Sequence, residues 1–374
     1  MKILVAPNSF KESLNSIAVA HHIGRGLKRV SKKFQITELP LADGGTGTSF
    51  IVTRALKGTF VKYSVSGPLG KKVSATYGII PQQNIAVIEL AEAAGLRLVP
   101  EKKRNPLVTS TRGVGELMLD AIKRGYKKII LAIGDSATID CGISALSVFG
   151  IKFLNRAGAE IELNCQGLLN LDKIDTSGVI SELADTRITI ASDVKNILTG
   201  RYGALVYAKQ KGAKRKTLPI IHQALKNFKN VVARQYGFNL DKIAGAGAAG
   251  GVGGAFVAIV RAEIISGFGL VKEVVYLEDA IKNSDLVITG EGRIDRESFY
   301  GKTLKKVIDL AYIHKKPVLL IAGSIARDAR VLKKYRVIEQ YSLLKLCKSL
   351  KKSMKNTPQL LEGLACSIGE KLKR

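Results

Sequence analysis

The sequence predicts an α/β protein with parallel sheets, organised as two domains. Residues 285–324 form one βαβ pattern, in which the strand-like runs DLVITG and VLLIAGS flank the helical segment TLKKVIDLAYIHKK. Three earlier apolar runs, KILVA, KKIILAIG and RITIASDV, each lead into a polar loop, as buried parallel strands do. Residues 60–90 change to short strand-like runs, so we expect a second domain to begin near residue 60.

The N-terminal segment predicts a strand, a polar loop and a helix. KILVA is a short apolar run and PNSFKES is polar. The following segment carries Leu14, Ile17, His21 and Leu27 near helical spacing. QITELP then predicts a second strand, and LADGGTGTSF predicts a glycine loop that opens a helix.

The central and C-terminal segments complete this pattern. FVKYSVS, KVSATYGII and IAVIEL predict three strands, with a GPLG turn between the first two. Residues 136–150, SATIDCGISALSVFG, predict a helix, and residues 218–236 predict a longer one. In the last βαβ unit Leu304, Val307 and Ile308 have helical spacing, and Thr303 is the candidate N-cap.

Composition limits the class of protein. The chain has 374 residues, which is enough for two domains with substantial cores. It contains no apolar run of the roughly 18 residues that a membrane span requires, and its N-terminal apolar run is shorter than that of a signal peptide. The cysteines show no metal or disulfide spacing, so we expect a cytoplasmic protein: Cys141, Cys165, Cys347 and Cys366.

The formal net charge of +28 raises the alternative of a nucleic-acid partner. The basic residues are dispersed, and no zinc finger, RNA-binding motif or aromatic-interleaved basic stripe accompanies them. The Lys-rich C-terminal segment KLCKSLKKSMKN could serve such a partner, but its pattern is also that of a solvated helix face. The charge pattern therefore disfavours nucleic-acid binding as the main function, and the same positive field suits an anionic small-molecule substrate.

Polar residues and glycines collect in five loops after predicted strands. Ligands of parallel α/β sheets bind beyond the carboxyl ends of strands. Carboxylates that hold Mg²⁺, cations and bare backbone amides are what phosphoryl transfer requires. Helix capping explains any one loop equally well, but five together favour an active site. The residues are Asn8, Ser9 and Lys11; Asp43, Gly44 and Gly45; Asp135 and Ser136; Asp193 and Asn196; and Glu291, Arg293 and Asp295.

Two glycine motifs need separate interpretation. Residues 301–303, Gly-Lys-Thr, match the end of a phosphate-binding loop, but Arg296 stands where that loop requires its first glycine. Residues 245–250, GAGAAG, match a dinucleotide fingerprint but follow no clear strand. A helix start that binds nucleotide phosphate, or a close packing contact, is the better interpretation of the second motif, with Gly247 and Gly250 as its residues.

Several segments occur in one order along the chain: APNSFKESLNS, LPLADGGTGT, SGPLG, KRNPLVTSTRGVGEL, IGDSATIDCG, ASDVKNILTG, GAGAAGG and TGEGRIDRESFYGKT. As a set they resemble the class I glycerate kinases. The resemblance covers the chain to about residue 325. It implies ATP- and Mg²⁺-dependent phosphorylation of D-glycerate, usually described as giving 2-phosphoglycerate. Whether the protein is a homodimer stays open.

The resemblance also implies the arrangement of the two domains. One domain is Rossmann- or flavodoxin-like and is built from both chain ends, residues 1–62 and 262–374. The other is an inserted α/β domain, residues 63–261. The active site is expected in the cleft between them.

The resemblance assigns roles to particular residues. Asp193 is the expected base or metal ligand, because it ends a buried strand in an unaltered part of its motif. Lys11 and Arg293 are expected to stabilise phosphate charge or the substrate carboxylate, and Asp295 to contact Mg²⁺ or the substrate hydroxyl. The further substrate- or nucleotide-binding candidates are Ser9, Asp43, Gly44, Gly45, Ser136, Asn196, Gly247, Gly250, Glu291 and Lys302.

The chain also departs from the family's motifs. Asn8 replaces the usual aspartate and cannot act as a base, Asp135 replaces a glycine, and Ile139 replaces an asparagine. These departures lie in predicted site loops, and they leave two alternatives open: a shifted hydroxy-acid substrate, or a ligand-binding protein with impaired catalysis. Further departures are Glu12, Thr46, Cys141, Lys195 and Ile197.

Overall fold

The computed structural model describes residues 1–10, 13–299, 303–326, 329, 336–347 and 349–373. The chain forms two compact units. The first combines Met1–Asp43 with Phe268–Arg374, and the second is Gly44–Gly267. Both contain parallel strands with helices, so the predicted α/β class is confirmed. Among the described residues, no helix has the length and apolar character needed to cross a membrane.

The described residues form fifteen strands, which include the nine predicted from the sequence in their predicted order. They are β1 (Lys2–Val5), β2 (Gln35–Glu38), β3 (Thr59–Ser66), β4 (Lys72–Ile80), β5 (Ile85–Glu89), β6 (Lys128–Ala132), β7 (Lys152–Leu154), β8 (Lys173–Asp175), β9 (Arg187–Ala191), β10 (Glu263–Ile265), β11 (Leu286–Thr289), β12 (Arg293–Ile294), β13 (Val318–Ala322), β14 (Ser324–Ile325) and β15 (Val337–Ser342).

The described residues also form thirteen α-helices. They are α1 (Ser16–Val30), α2 (Thr48–Ala55), α3 (Leu90–Ala94), α4 (Arg112–Lys123), α5 (Ile143–Ser147), α6 (Leu218–Tyr236), α7 (Val252–Val260), α8 (Gly267–Val274), α9 (Leu277–Lys282), α10 (Thr303–Ile313), α11 (Leu343–Cys347), α12 (Leu350–Lys355) and α13 (Thr357–Lys373). Asn15 caps α1 by accepting the Ala18 N–H at 2.8 Å. Thr303, the predicted N-cap of α10, is instead its first helical residue.

The first unit is a parallel five-stranded sheet in the order β15-β13-β11-β1-β2. Counted along the unit, this order is 2-1-3-4-5, which is the flavodoxin-like arrangement. The neighbouring strands β1 and β11 pair in register, Ile3 with Leu286 and Val5 with Ile288. The strand order reverses between these two strands, and ligands of such sheets bind beyond the carboxyl ends at this point. Buried residues of α1 and α13 join the same hydrophobic core.

The second unit is a six-stranded sheet in the order β10-β9-β6-β5-β4-β3. Strands β10, β9, β6 and β5 are parallel, whereas β4 and β3 are antiparallel to their neighbours. Helices α4, α5, α6 and α7 contribute buried residues to one large core. Its largest fully buried side chains are Tyr77, Phe149, Phe153, Phe228 and Phe256.

The two units divide after Asp43 and after Gly267, whereas we predicted domain boundaries at residues 62 and 262. The sequence pattern placed the first boundary where strand-like runs begin. In the structure, Ser49 of α2 already belongs to the second unit, since its Oγ–H donates to the Val87 carbonyl at 2.7 Å. The glycine loop before α2 therefore belongs with the second sheet.

The predicted helix over residues 136–150 is wrong in its first half. Only Ile143–Ser147 are helical. Asp135, Cys141 and Gly142 have φ values of 58°, 50° and 70°, in the left-handed region that a right-handed helix excludes. The Asp140 side chain also accepts the Gly142 N–H at 3.1 Å, which favours a turn. Residues 134–142 are consequently a loop beyond the carboxyl end of β6.

Candidate active site

Asp43 is the point at which three segments of the first unit meet. Asn8, after β1, donates its amide N–H to Asp43 Oδ2 at 3.4 Å. Thr303, at the start of α10, donates its hydroxyl to the same oxygen at 3.3 Å. The Asn8 backbone N–H also donates to the Gly290 carbonyl at 2.9 Å, which joins the β1 loop to the β11 loop. Two residues of the predicted site loops, Asn8 and Asp43, therefore lie together with Thr303 beyond the carboxyl ends of β1, β2 and β11.

Asn8 places a neutral amide beside Asp43, where the usual residue of the resembled family is an aspartate. Its Oδ1 accepts the Ser9 N–H at 2.7 Å, and its amide N–H faces Asp43. An aspartate here would place two negative charges side by side, which raises the pKa of one of them. Asn8 avoids this repulsion and supplies a hydrogen bond to Asp43. Two further predicted residues, Lys11 and Lys302, lie outside the described part of the chain.

The loop after β11 holds the predicted residues Glu291, Arg293 and Asp295. Arg293 and Asp295 form an ion pair, with 3.4 Å between Nε and Oδ2. The Ser298 N–H donates to Asp295 Oδ1 at 3.3 Å, and β12 pairs with β14 in parallel. The Arg293 side chain is 72% exposed, which leaves its guanidinium accessible to an anion. The structure thus places an exposed cation and a hydrogen-bonded carboxylate on one loop.

In the second unit, the glycine loop contacts the ends of β6 and β9. The Gly134 N–H donates to the Gly44 carbonyl at 2.8 Å. Gly44 has a φ of +89°, and a Cβ there would lie 2.4 Å from the Ala191 carbonyl oxygen. A Cβ on Gly134 would lie 2.5 Å from Gly45 Cα. A side chain at Gly44 or at Gly134 would prevent this approach, so close packing explains Gly44 in addition to its predicted ligand-binding role. The ligand-binding role of Gly45 stays a prediction.

Asp193 follows β9 at the same edge of the second sheet. Its Oδ1 accepts the Ser266 hydroxyl at 2.6 Å, and Ser266 comes directly after β10. This short bond orients a carboxylate beyond the ends of two parallel strands. The Asp193 carboxylate is a group that can act as a base or as a metal ligand. Mg²⁺ is commonly held by one or two carboxylates together with substrate phosphates.

Two departures from the family's motifs contact each other. Asp135 Oδ2 accepts both the Thr46 hydroxyl at 2.9 Å and the Thr46 N–H at 3.2 Å. Aspartate is among the residues that tolerate a positive φ. Thr46 belongs to the glycine loop and Asp135 to the β6 loop, so this pair adds a second connection between them.

Two other departures lie in the core. Ile139 and Cys141 are both fully buried. The Cys141 N–H donates to the Gly250 carbonyl at 3.1 Å. Burial raises the pKa of the Cys141 thiol well above its ordinary value, which suppresses the thiolate that nucleophilic chemistry requires. Ile139 and Cys141 therefore serve packing within the second unit.

The GAGAAG segment packs closely against two site loops. The Gly247 N–H donates to the Asn196 carbonyl at 2.8 Å, and a Cβ on Gly247 would lie 2.1 Å from the Ile197 carbonyl oxygen. A Cβ on Gly250 would lie 2.2 Å from the Thr138 carbonyl oxygen. The Asn196 amide donates to the Tyr202 carbonyl at 2.7 Å. These contacts explain the two glycines by packing, and their nucleotide-binding role stays a prediction.

Sequence reasoning missed Glu89, the last residue of β5. It is only 5% exposed, and its Oε1 accepts the N–H groups of Gly47 at 2.9 Å and Ser49 at 2.8 Å. Burial raises the pKa of Glu89 to about 7, against the opposing effect of these hydrogen bonds. A signal was present, since the strand-like run IAVIEL carries an acid at its carboxyl end. Glu89 anchors the segment that follows Gly44 and Gly45.

Lys211 was also missed. Its side chain is 3% exposed, and its Nζ donates to Ser136 Oγ at 2.7 Å and to the Thr138 carbonyl at 2.8 Å. Burial lowers the pKa of Lys211 to about 7, although the nearby Asp140 opposes this shift. In the sequence, Lys211 stands among other cations in AKQKGAKRK, where nothing distinguishes it from a solvated lysine.

Glu89→Gln is expected to stabilise the protein at about pH 8. Because burial raises the folded-state pKa of Glu89, its ionisation weakens folding as the pH rises from about 4.5 to about 7. Glutamine keeps an acceptor for Gly47 and Ser49 and never ionises. The expected gain at about pH 8 is on the order of 3 kcal/mol, with little difference near pH 4.

Urea unfolding of the wild type and Glu89→Gln at both pH values measures this gain, with the exposed Glu160→Gln as matched control. A Glu89→Gln protein that is less stable than the wild type at about pH 8 would contradict the assignment of a buried charge.

The predicted metal ligands lie in different units, Asp295 in the first and Asp193 in the second. Within the part of the chain that the structure describes, there is no group of three His, Cys, Asp or Glu residues able to hold a metal ion. Both residues offer the oxygen ligands that Mg²⁺ prefers. Their role as metal ligands stays a prediction.

The fold and these loops together define the class of protein: an α/β protein with polar and glycine-rich loops beyond the carboxyl ends of its parallel strands, an arrangement suited to binding an anionic ligand. Comparison with known proteins gives the family. The family model described as the glycerate kinase family matches residues 3–373.

The relatives are similar over nearly the whole chain. The chain is 40% identical over 367 residues to a glycerate kinase of Halalkalibacterium halodurans, covering 98% of this chain and 97% of the relative. It is 40% identical over 345 residues to a glycerate 2-kinase of Escherichia coli K12, covering 92% and 91%. A crystal structure assigned as glycerate kinase 2 of Salmonella typhimurium LT2 is similar, with a TM-score of 0.78, 37% identity and coverage of 100% and 98%.

The chain belongs to the glycerate kinase family. The family resemblance inferred from the sequence motifs is thereby confirmed, and so is the inference that the protein is an enzyme of the kinase class.

Proposed function

We propose that the protein phosphorylates D-glycerate with ATP and Mg²⁺, giving 2-phosphoglycerate. The observation that carries this proposal is the meeting of Asn8, Asp43 and Thr303 beyond the carboxyl ends of β1, β2 and β11. This is where a sheet of flavodoxin-like order binds its ligand. Membership of the glycerate kinase family supports the same reaction.

The residues of the first unit bind and neutralise anionic groups in this proposal. Arg293 is exposed and can pair with a phosphate or a substrate carboxylate, while Asp295 holds the Arg293 guanidinium nearby. Asp43 accepts hydrogen bonds from two site residues and can accept another from a hydroxyl group. Lys11, Lys302, Ser9 and Glu291 keep the binding roles predicted from the sequence.

The residues of the second unit provide the base and the backbone amides of the glycine-containing loops. Asp193 takes the proton from the reacting hydroxyl, as its position after β9 and its orientation by Ser266 allow. Gly44, Gly45 and Ser136 lie in loops that bring backbone amides to the same sheet edge. When bound, Mg-ATP supplies the phosphoryl group and the metal charge that neutralises it.

We propose that the departures from the family's motifs leave this activity intact. Asn8 hydrogen-bonds Asp43 without adding a second charge, and Asp135 is held by Thr46. Ile139 is packed in the core. The alternatives are a shifted hydroxy-acid substrate and a ligand-binding protein that has lost turnover. The cytoplasmic location and a homodimer stay predictions.

A coupled ADP-release assay with Mg-ATP and D-glycerate, followed by phosphorus NMR of the product, tests the proposal. We expect turnover and a phosphate on the 2-hydroxyl. A phosphate on the 3-hydroxyl would correct the product. Turnover only with another hydroxy acid would support a shifted substrate. A ligand-induced thermal shift without turnover would support the binding-protein alternative. The absence of both turnover and a thermal shift, in a protein shown to be folded, would overturn the proposal.

A further inference from the structure

A buried lysine supports the loop after β6. Lysine is among the residues least often fully buried, because removing an ammonium from water is unfavourable. Lys211 is nevertheless 3% exposed, and both of its hydrogen bonds reach the loop that contains the site candidate Ser136. Exposed lysines commonly serve solubility, and this role does not explain a lysine that is buried.

The buried Asp140 attracts Lys211 through space, but the Lys211 ammonium donates its hydrogen bonds to other groups. Asp140 is fully buried, and its carboxylate already accepts the Thr111 N–H at 2.8 Å, the Thr111 hydroxyl at 2.7 Å and the Gly142 N–H at 3.1 Å. Lys211 donates instead to Ser136 and Thr138. Its direct contacts therefore serve the loop.

The loop is held from both directions. The Leu96 N–H donates to the Asp135 carbonyl and the Ala137 N–H donates to the Ala94 carbonyl, at 2.9 and 2.8 Å. From the other side, Lys211 donates hydrogen bonds to Ser136 and to the Thr138 carbonyl. Asp135 has a φ of 58°, a left-handed conformation that aspartate tolerates and that the hydrogen bonds of this loop maintain.

We propose that Lys211 is a positioning residue that fixes the loop of residues 134–138 through Ser136, so that the loop is ordered before the anionic substrate binds. This inference rests on the proposed function, since it assigns substrate binding to the loop. An ordered loop loses less conformational entropy on binding, so Lys211 acts mainly on substrate affinity.

The first test measures the loop without any substrate. We expect hydrogen–deuterium exchange in the 134–138 peptide to be faster in Lys211→Met than in the wild type, with little change in the 128–132 strand. The matched control is Lys209→Met, since Lys209 is exposed two residues away. Lys211→Gln retains one donor group and serves if Lys211→Met does not fold. Unchanged exchange at residues 134–138 in a folded variant would overturn the proposal.

The second test is a double-mutant cycle on the phosphotransfer kinetics, at a temperature where all variants are folded. Lys211→Met and Ser136→Ala should each raise KM for the acceptor by about tenfold and change kcat less. Because Lys211 acts through Ser136, the double variant should be no worse than the poorer single variant. Additive effects of the two substitutions, or lower thermal stability with unchanged KM, would show that Lys211 has only a structural role and would contradict the proposal.

The two tests separate this inference from the proposed function. If the wild type does not phosphorylate D-glycerate, the proposed function fails, and hydrogen exchange still decides whether Lys211 orders the loop. If the wild type is active and the exchange rates do not change, the Lys211 inference fails while the proposed function stands.

Discussion

Asp193→Asn should lower kcat by about 100-fold or more with little effect on stability. Asparagine keeps the size of the side chain and an oxygen that can accept the Ser266 hydroxyl, which lies 2.6 Å from Asp193 Oδ1. It loses the negative charge and the ability to take a proton from the reacting hydroxyl. The variant therefore removes the chemical role and preserves the local structure. Steady-state kinetics with D-glycerate measure the loss.

Asp185→Asn is the matched control for this experiment. Asp185 precedes β9 as Asp193 follows it, and its side chain is 73% exposed. We expect the control variant to have the kcat of the wild type. A near-normal kcat in Asp193→Asn, with Asp185→Asn also unchanged, would remove Asp193 from the mechanism. A fall in both variants would point to a general charge effect.

Gly44→Ala should destabilise the second unit by at least about 3 kcal/mol and lower its Tm by about 6–12 °C. A Cβ at Gly44 would lie 2.4 Å from the Ala191 carbonyl oxygen and 3.0 Å from Ser192 Cα, so backbone would have to move. The same movement displaces the glycine loop from the ends of β6 and β9. We therefore expect phosphotransfer to fall together with stability.

Gly70→Ala separates the two causes of this loss. Gly70 has a φ of +80°, close to that of Gly44, but a Cβ there would meet no atom within 4 Å. Its cost should be about 1 kcal/mol, from the positive φ alone. The difference between the two variants in urea unfolding is the cost of the close approach. Equal losses in the two variants would show that no close approach exists at Gly44.

The site candidates that the motifs indicated differ in how the structure explains them. Asp43, Asp193 and Arg293 lie in polar loops with hydrogen bonds or ion pairs suited to chemistry. Gly247 and Gly250 instead have close backbone neighbours that explain them by packing. A glycine motif states only that a Cβ is not tolerated. Whether a phosphate or another strand of backbone occupies the space depends on the folded chain.

The sequence by itself determined the α/β class, nine of the fifteen strands among the described residues, helices α1, α2, α6 and α10, the polar loops after the strands, and the family. These follow from apolar periodicity and from local motifs, which act over a few residues along the chain. The prediction that a helix begins at residue 136 was wrong, which shows the limit of such reasoning. The left-handed φ values of Asp135 and Cys141 leave no periodic pattern in the sequence.

Only the tertiary structure decided which residues meet. Thr46 and Asp135 are 89 positions apart in sequence, and Ser136 and Lys211 are 75 apart. Lys211 resembles an ordinary surface charge until its burial is known, and burial is what moves the pKa of Glu89 and the pKa of Lys211 to about 7. Charge and hydrogen-bonding capacity are properties of single residues, but desolvation and pairing depend on distances that exist only in the folded chain.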